Sequence, residues 1–144
     1  MDNLGKDVRK GVAFMNYKRN ESFRYVFGEP IEATFVIMQN GRYLEMKDNL
    51  HPCRIIDISP KGMKIYSTID LDPLFNDLLS LEINFVLDVT LLSGIGKIVW
   101  SKPYGRGKYY GISLSDENSI EEMIISEMKR RRKKEVEREK RAIK

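Results

Sequence analysis

Cysteine and histidine each occur once in the 144 residues, at Cys53 and His51. One cysteine cannot close an internal disulfide, and a reducing compartment suits it. One histidine and one cysteine also fall short of an ordinary zinc set. No apolar run approaches the ~18 residues that span a bilayer. The start, MDNLGKDVRKGVAF, has no apolar core of the kind that directs export. The patterns GxSxG, GxxxxGK and HExxH are missing, and the carboxylates are scattered with no evident acid–base pair. His51, beside Pro52, reads as an edge or surface histidine. The expectation is a cytoplasmic protein that is not an enzyme, with no catalytic residue, metal or cofactor.

What is present fits one folded domain. Hydrophobic residues make up 42% and charged residues 32%, enough for a real core beneath a strongly charged surface. The net charge of +4 is unevenly placed. Residues 129–144, KRRRKKEVEREKRAIK, carry ten Lys or Arg against three Glu, so the remaining chain is at −3. Basicity therefore belongs to a tail, and the high isoelectric point does not make the body a nucleic-acid binder. A solubilising helix end is the plain reading of that tail. Contact with an acidic partner, anionic lipid or nucleic-acid phosphates is the functional one. The tail lacks both the apolar face of an interfacial helix and aromatics for stacking bases.

Short strand-like runs succeed one another along the body. IEATFVIM leads into Asn40-Gly41, a hairpin turn in which both residues accept positive φ, with RYLEM as the return strand. CRIIDIS and MKIYS form a second pair; LEINFVLDV, GIGKIVWSK and KYYGISLS complete the set. LDPLFNDLLS reads as a single helical turn. Six or seven such strands suit a small antiparallel barrel or sandwich. Ser115 or Asp116 is placed to cap a C-terminal helix, with acids in its first turns. Ile120, Ile124 and Met128, with Met123 beside them, make its apolar stripe. Beyond Met128 the stripe runs out, so the second half of the helix has nothing to dock with.

The polar trio Asp57, Ser59 and Gly62 in RIIDISPKGMKIYS asks for an explanation. Strand side chains alternate, so Asp57 and Ser59 face one way and Ile56 and Ile58 the other. An acceptor and a hydroxyl on one face, with a glycine after them, suit either a turn device or half of a ligand site. The turn reading has these side chains serving turn backbone groups, with Gly62 at positive φ. Trp100 and Tyr110 read as core or barrel-rim residues, Met63 and Ile65 as core, and Arg106 and Lys108 as a solvated hairpin tip.

Taken with GKIVW (Gly96–Trp100) and YYGISLS (Tyr109–Ser115), the DxSxxG pattern of DISPKG and the basic stretch KRNESFR resemble the PilZ domain family. The resemblance spans roughly residues 17–128. It implies a mainly β fold: a small six- to seven-stranded antiparallel barrel followed by a C-terminal α-helix. On it, residues 1–16 are a flexible lead-in, 17–128 the barrel with the start of the helix, and 129–144 a basic helical or frayed tail. Many PilZ domains are receptors for the bacterial second messenger cyclic di-GMP. Their RxxxR motif grips phosphates and guanine edges, and (D/N)xSxxG holds a guanine against the barrel.

Carried onto this chain, the resemblance makes Arg24, Asp57, Ser59 and Gly62 candidate ligand contacts. A guanidinium suits the O6/N7 edge of guanine or a phosphate. A carboxylate accepts from guanine N1–H and N2–H, and a glycine admits a flat base close to the backbone. Asn20 stands where the first arginine of RxxxR is expected. Arg19 next to it, with Lys18, is the candidate replacement. Loss of one bidentate arginine contact costs roughly 1–3 kcal/mol, or about ten- to a hundredfold in affinity. The implied output is a protein partner in motility, pilus assembly or exopolysaccharide synthesis. The alternatives are a degenerate PilZ domain serving as a nucleotide-independent adaptor and, further behind, nucleic-acid binding through the tail.

Overall fold

The computed structural model of the chain describes residues 24–44, 49–72, 79–115 and 120–143. Lys18, Arg19, Asn20, Asp116 and most of the expected LDPLFNDLLS turn lie outside those residues. The elements run β1 (Tyr25–Gln39), β2 (Arg42–Tyr43), β3 (His51–Ser59), β4 (Gly62–Ser67), β5 (Leu79–Val86), β6 (Leu91–Tyr104), β7 (Gly107–Leu114) and α1 (Glu121–Ile143). Every pairing is antiparallel. The hydrogen-bonded order is β2-β1-β3-β4-β7-β6-β5, and β1 also pairs with β5, closing six strands into a barrel with β2 as an extra strand. Closure leaves those six without a free edge.

Local chemistry explains the turns. Asn40 and Gly41 take φ of 51° and 76°, as an Asn-Gly hairpin requires. Of the expected return strand RYLEM, Arg42 and Tyr43 pair with β1 and Leu44 N–H donates to Ile37 O at 2.9 Å, while Glu45 and Met46 lie outside the described residues. The interior is filled by Phe35, Ile55, Ile58, Ile65, Ile83 and their neighbours, with Met63 and Ile65 in the core as the alternation requires. Cys53 is buried among them. Burial, with the Glu32 carboxylate in support, pushes its thiol up to about 12, so it stays protonated and inert.

The helix packs its stripe against this core: Ile120, Ile124 and Met128 are buried, while Met123 is exposed. At roughly 1.5–3 kcal/mol for each large apolar side chain buried, this stripe contributes several kcal/mol. Gly94 makes the close approach possible, because a Cβ there would sit 2.7 Å from Ile120 Cδ1. Residues 116–119, between Ser115 and the start of the helix, lie outside the described residues. Ser115 N–H donates to Ile95 O at 2.7 Å, prolonging the β6–β7 end of the barrel, and the described part of the helix opens with Ile124 N–H donating to Ile120 O.

The helix beyond Met128 also departs from the expectation that it has nothing to dock with. It is anchored by polar rather than apolar contacts, which an apolar stripe cannot reveal. Arg131 Nη1 donates to Leu87 O at 2.9 Å, Lys134 pairs with Asp88 at 2.8 Å, and Tyr25 Oη donates to Glu135 Oε1 at 2.9 Å. Arg131 and Arg132 also lie over the rings of Phe27 and Tyr25. No helix among the described residues is long and apolar enough to cross a membrane.

Candidate functional site

Strand register builds the site. On the outside of the barrel, Asp57 of β3 pairs with Lys64 of β4, Lys64 with Gly111 of β7, and Gly111 with Trp100 of β6. Residues paired across antiparallel strands share a face, so these four make one transverse row. Ser59, Gly62, Ser113 and Lys97 form the row beside it.

Two β-bulges create this alignment. One interrupts β3–β4 between Ile55 and Asp57, the other β6–β7 between Ile98 and Trp100. A bulge inserts an extra residue and re-aims the side chains after it. Ile55 and Ile58 therefore point into the core, while Ile56 is only half-buried. This corrects the simple alternation that paired Ile56 with Ile58. Trp100, two residues after Ile98, would share its face in a regular strand. The extra residue turns it outward, where it is 43% exposed and is not a core residue.

The glycines are explained by what a side chain would strike. A Cβ on Gly111 would lie 2.0 Å from Trp100 Nε1, so the indole rests directly on the backbone of β7. A Cβ on Gly62 would meet Ile112 O at 2.6 Å. Gly62 is not among the residues at positive φ, so the turn reading fails on that point. Gly111→Ala should lift Trp100 away from the sheet at a cost of about 1–3 kcal/mol from overpacking. A red-shifted emission maximum, Trp100 being the sole tryptophan, checks this outcome.

The polar groups converge on the same rows. Arg24, just ahead of β1, donates through Nη1 to Asp57 Oδ1. Asp57 is 8% exposed, whereas the Arg24 side chain is 49% exposed. Ser59 Oγ donates to Gly62 O at 3.2 Å across the turn, which fixes the hydroxyl and partly supports the turn reading for Ser59. The open cleft over these residues has a volume of about 390 Å³ and is lined by Arg24, Asp57, Ser59, Gly62, Lys61, Lys64 and Trp100 among others. That size is within the range of small-ligand sites. Lys61 pairs with Glu121 at 3.2 Å, and the Lys64 ammonium stands 4.5 Å from the centre of the Tyr109 ring. Three cations around one carboxylate favour an anionic ligand with hydrogen-bond donors for Asp57.

Four of the seven expected contacts, Arg24, Asp57, Ser59 and Gly62, thus come together; Lys18, Arg19 and Asn20 lie outside the described residues. Lys61, Lys64, Trp100 and Gly111 were not expected there. Only the GxxxW signal hinted at Trp100, and the bulge that exposes it leaves no sequence mark. Elsewhere, Tyr110 is a buried anchor whose hydroxyl accepts from Leu71 N–H and donates to Ile69 O. Lys108 is not a solvated tip: it pairs with Asp70 and Asp72, whose hydrogen bonds raise its pKa, while Lys108 in turn lowers that of Asp72. Arg106 remains exposed in its turn.

Comparison with known proteins agrees with this geometry. A family model described as PilZ domain matches residues 17–129. No curated protein matches the chain.

Proposed function

The chain belongs to the PilZ domain family, and we propose that it is a non-enzymatic receptor for cyclic di-GMP that binds the ligand in the cleft and signals to a protein partner in the bacterial cytoplasm. The observation that carries this reading is the transverse row Asp57–Lys64–Gly111–Trp100 with Arg24 at its rim. It puts a guanine-edge acceptor, cations and a flat aromatic wall side by side.

In this reading the Asp57 carboxylate accepts from guanine N1–H and N2–H. Arg24 exchanges its pairing with Asp57 for the guanine O6/N7 edge or a phosphate, either of which suits its planar fork. Lys61 and Lys64 neutralise phosphate charge, and the indole of Trp100 offers a face for stacking, worth about 1–3 kcal/mol per base. Ser59 and Gly62 shape the turn beneath the base. Arg19, with Lys18 and Asn20, approaches from the segment ahead of β1, and the ligand orders that segment as it bridges to the barrel. The ordered segment then forms new surface for the partner.

Trp100 is a built-in reporter for the test. Cyclic di-GMP should change its fluorescence saturably, while GTP at the same concentration should not. An unchanged emission at millimolar cyclic di-GMP would contradict the reading and favour a nucleotide-independent adaptor.

A further inference from the structure

We infer that Glu135 of α1 is a positioning residue of the cleft: through Tyr25 it sets where Arg24 stands, so occupancy of the cleft and docking of the helix beyond Met128 are coupled. The inference rests on the cyclic di-GMP reading and adds its regulation.

Arg24 immediately precedes Tyr25, the first residue of β1, and the two side chains go to different places. Arg24 reaches Asp57 in the cleft, and Tyr25 packs toward the core with its hydroxyl on Glu135. The strand itself holds this end weakly. Only Tyr25↔Ile58 and Val26↔Asp57 pair before the register shift, which lasts until Ile31. Gly28 and Pro30 lie in that irregular stretch, and proline has no N–H to give to a ladder. Side-chain anchors must therefore fix the position of Arg24. The Tyr25 ring meets Phe27 edge-on at 5.0 Å and lies under Arg132, and Phe27 lies under Arg131. Glu135 ties both arginines, Arg131 at 3.2 Å and Arg132 at 4.0 Å, to the hydroxyl of Tyr25.

Seen from the helix, the same contacts are what hold it down. Past the buried Met128, its links to the barrel are hydrogen bonds, ion pairs and cation–ring contacts, each weak singly when partly solvated. A ligand that fixes Arg24 also fixes Tyr25, and so favours the docked helix. By linkage the docked helix favours the ligand by the same factor.

Two substitutions isolate the relay. Tyr25→Phe keeps the ring and removes only the hydroxyl, and Glu135→Ala removes its acceptor; Glu135→Gln keeps an acceptor oxygen and serves as the rescue. The readouts are the cyclic di-GMP dissociation constant and amide hydrogen exchange across residues 133–143. In the native protein the ligand should slow exchange in that segment. Tyr25→Phe and Glu135→Ala should weaken binding about five- to twentyfold and abolish the ligand-dependent slowing, with Glu135→Gln close to native. Native affinity in Tyr25→Phe, or exchange in the native helix that ignores bound ligand, would overturn the inference while leaving the receptor intact. Absence of any binding by the native protein would overturn the receptor reading and the coupling together.

Discussion

Glu127→Ala should lower the melting temperature by roughly 10 °C, the largest stability effect expected here from replacing any single charged residue. Glu127 is only 2% exposed although it is a carboxylate on a highly charged helix. Its Oε1 accepts the backbone N–H groups of Asp88, Val89 and Thr90 at 3.1, 3.1 and 3.2 Å, and Oε2 accepts Arg130 Nη2 at 2.8 Å. One side chain thus closes the turn between β5 and β6 and fastens it to α1. Burial alone would raise its pKa, but Arg130 and the three N–H groups outweigh that and hold it down at about 2, from an ordinary 4.5.

A depressed folded-state pKa means that the unfolded chain binds the proton more readily, so stability is gained as pH rises. The gain is complete above about 4.5 and is lost as pH falls through about 2. Removing the carboxylate leaves three backbone donors short of a partner, a penalty of about 3 kcal/mol. Thermal melts at pH 7 should show the full gap between native protein and Glu127→Ala. The gap should narrow as pH approaches 2, because the native protein then loses the same interaction.

Asp57→Ala should have the largest effect on ligand affinity, a loss of about a hundredfold with little change in melting temperature. In the proposed complex the carboxylate accepts two guanine donors, and charged hydrogen bonds contribute about 1.5–3 kcal/mol each when only partly compensated by water. A net loss near 3 kcal/mol is about a hundredfold in dissociation constant. The fold barely depends on the group, because its partner Arg24 is half-exposed and pairs of that kind contribute about 1 kcal/mol or less. Arg24→Ala should weaken binding about ten- to a hundredfold, and Asn20→Arg, which completes RxxxR, should tighten it by a similar factor. Displacement of a fluorescent cyclic di-GMP analogue measures all three, with thermal melts as the control for folding.

The barrel was legible because its signals are local. Asn40-Gly41 can form its turn without help from the rest of the chain, and Ile120, Ile124 and Met128 announce a docked helix face by spacing alone. The site was half legible. DxSxxG pointed to Asp57, Ser59 and Gly62, which line the candidate cleft, yet the face of Trp100 was hidden, because period two fails at a bulge and the bulge at Val99 depends on pairing with β7. The same failure misplaced Ile56. Glu127 was illegible for a different reason. Within ISEMKRRR it looks like one more charge on a solvated helix, and its role arises only when the β5–β6 turn brings three N–H groups to it. Polar anchors such as Tyr25–Glu135, 110 residues apart, escape any reading that tracks apolar periodicity.

Receptor function requires that the cleft take the nucleotide. Calorimetric titration of the native protein with cyclic di-GMP, with GTP as the control, tests that most directly. Saturable heat for cyclic di-GMP alone, lost in Asp57→Ala, is the outcome expected of a receptor. The absence of heat at high ligand concentration, in the native protein and in Asn20→Arg alike, would contradict it.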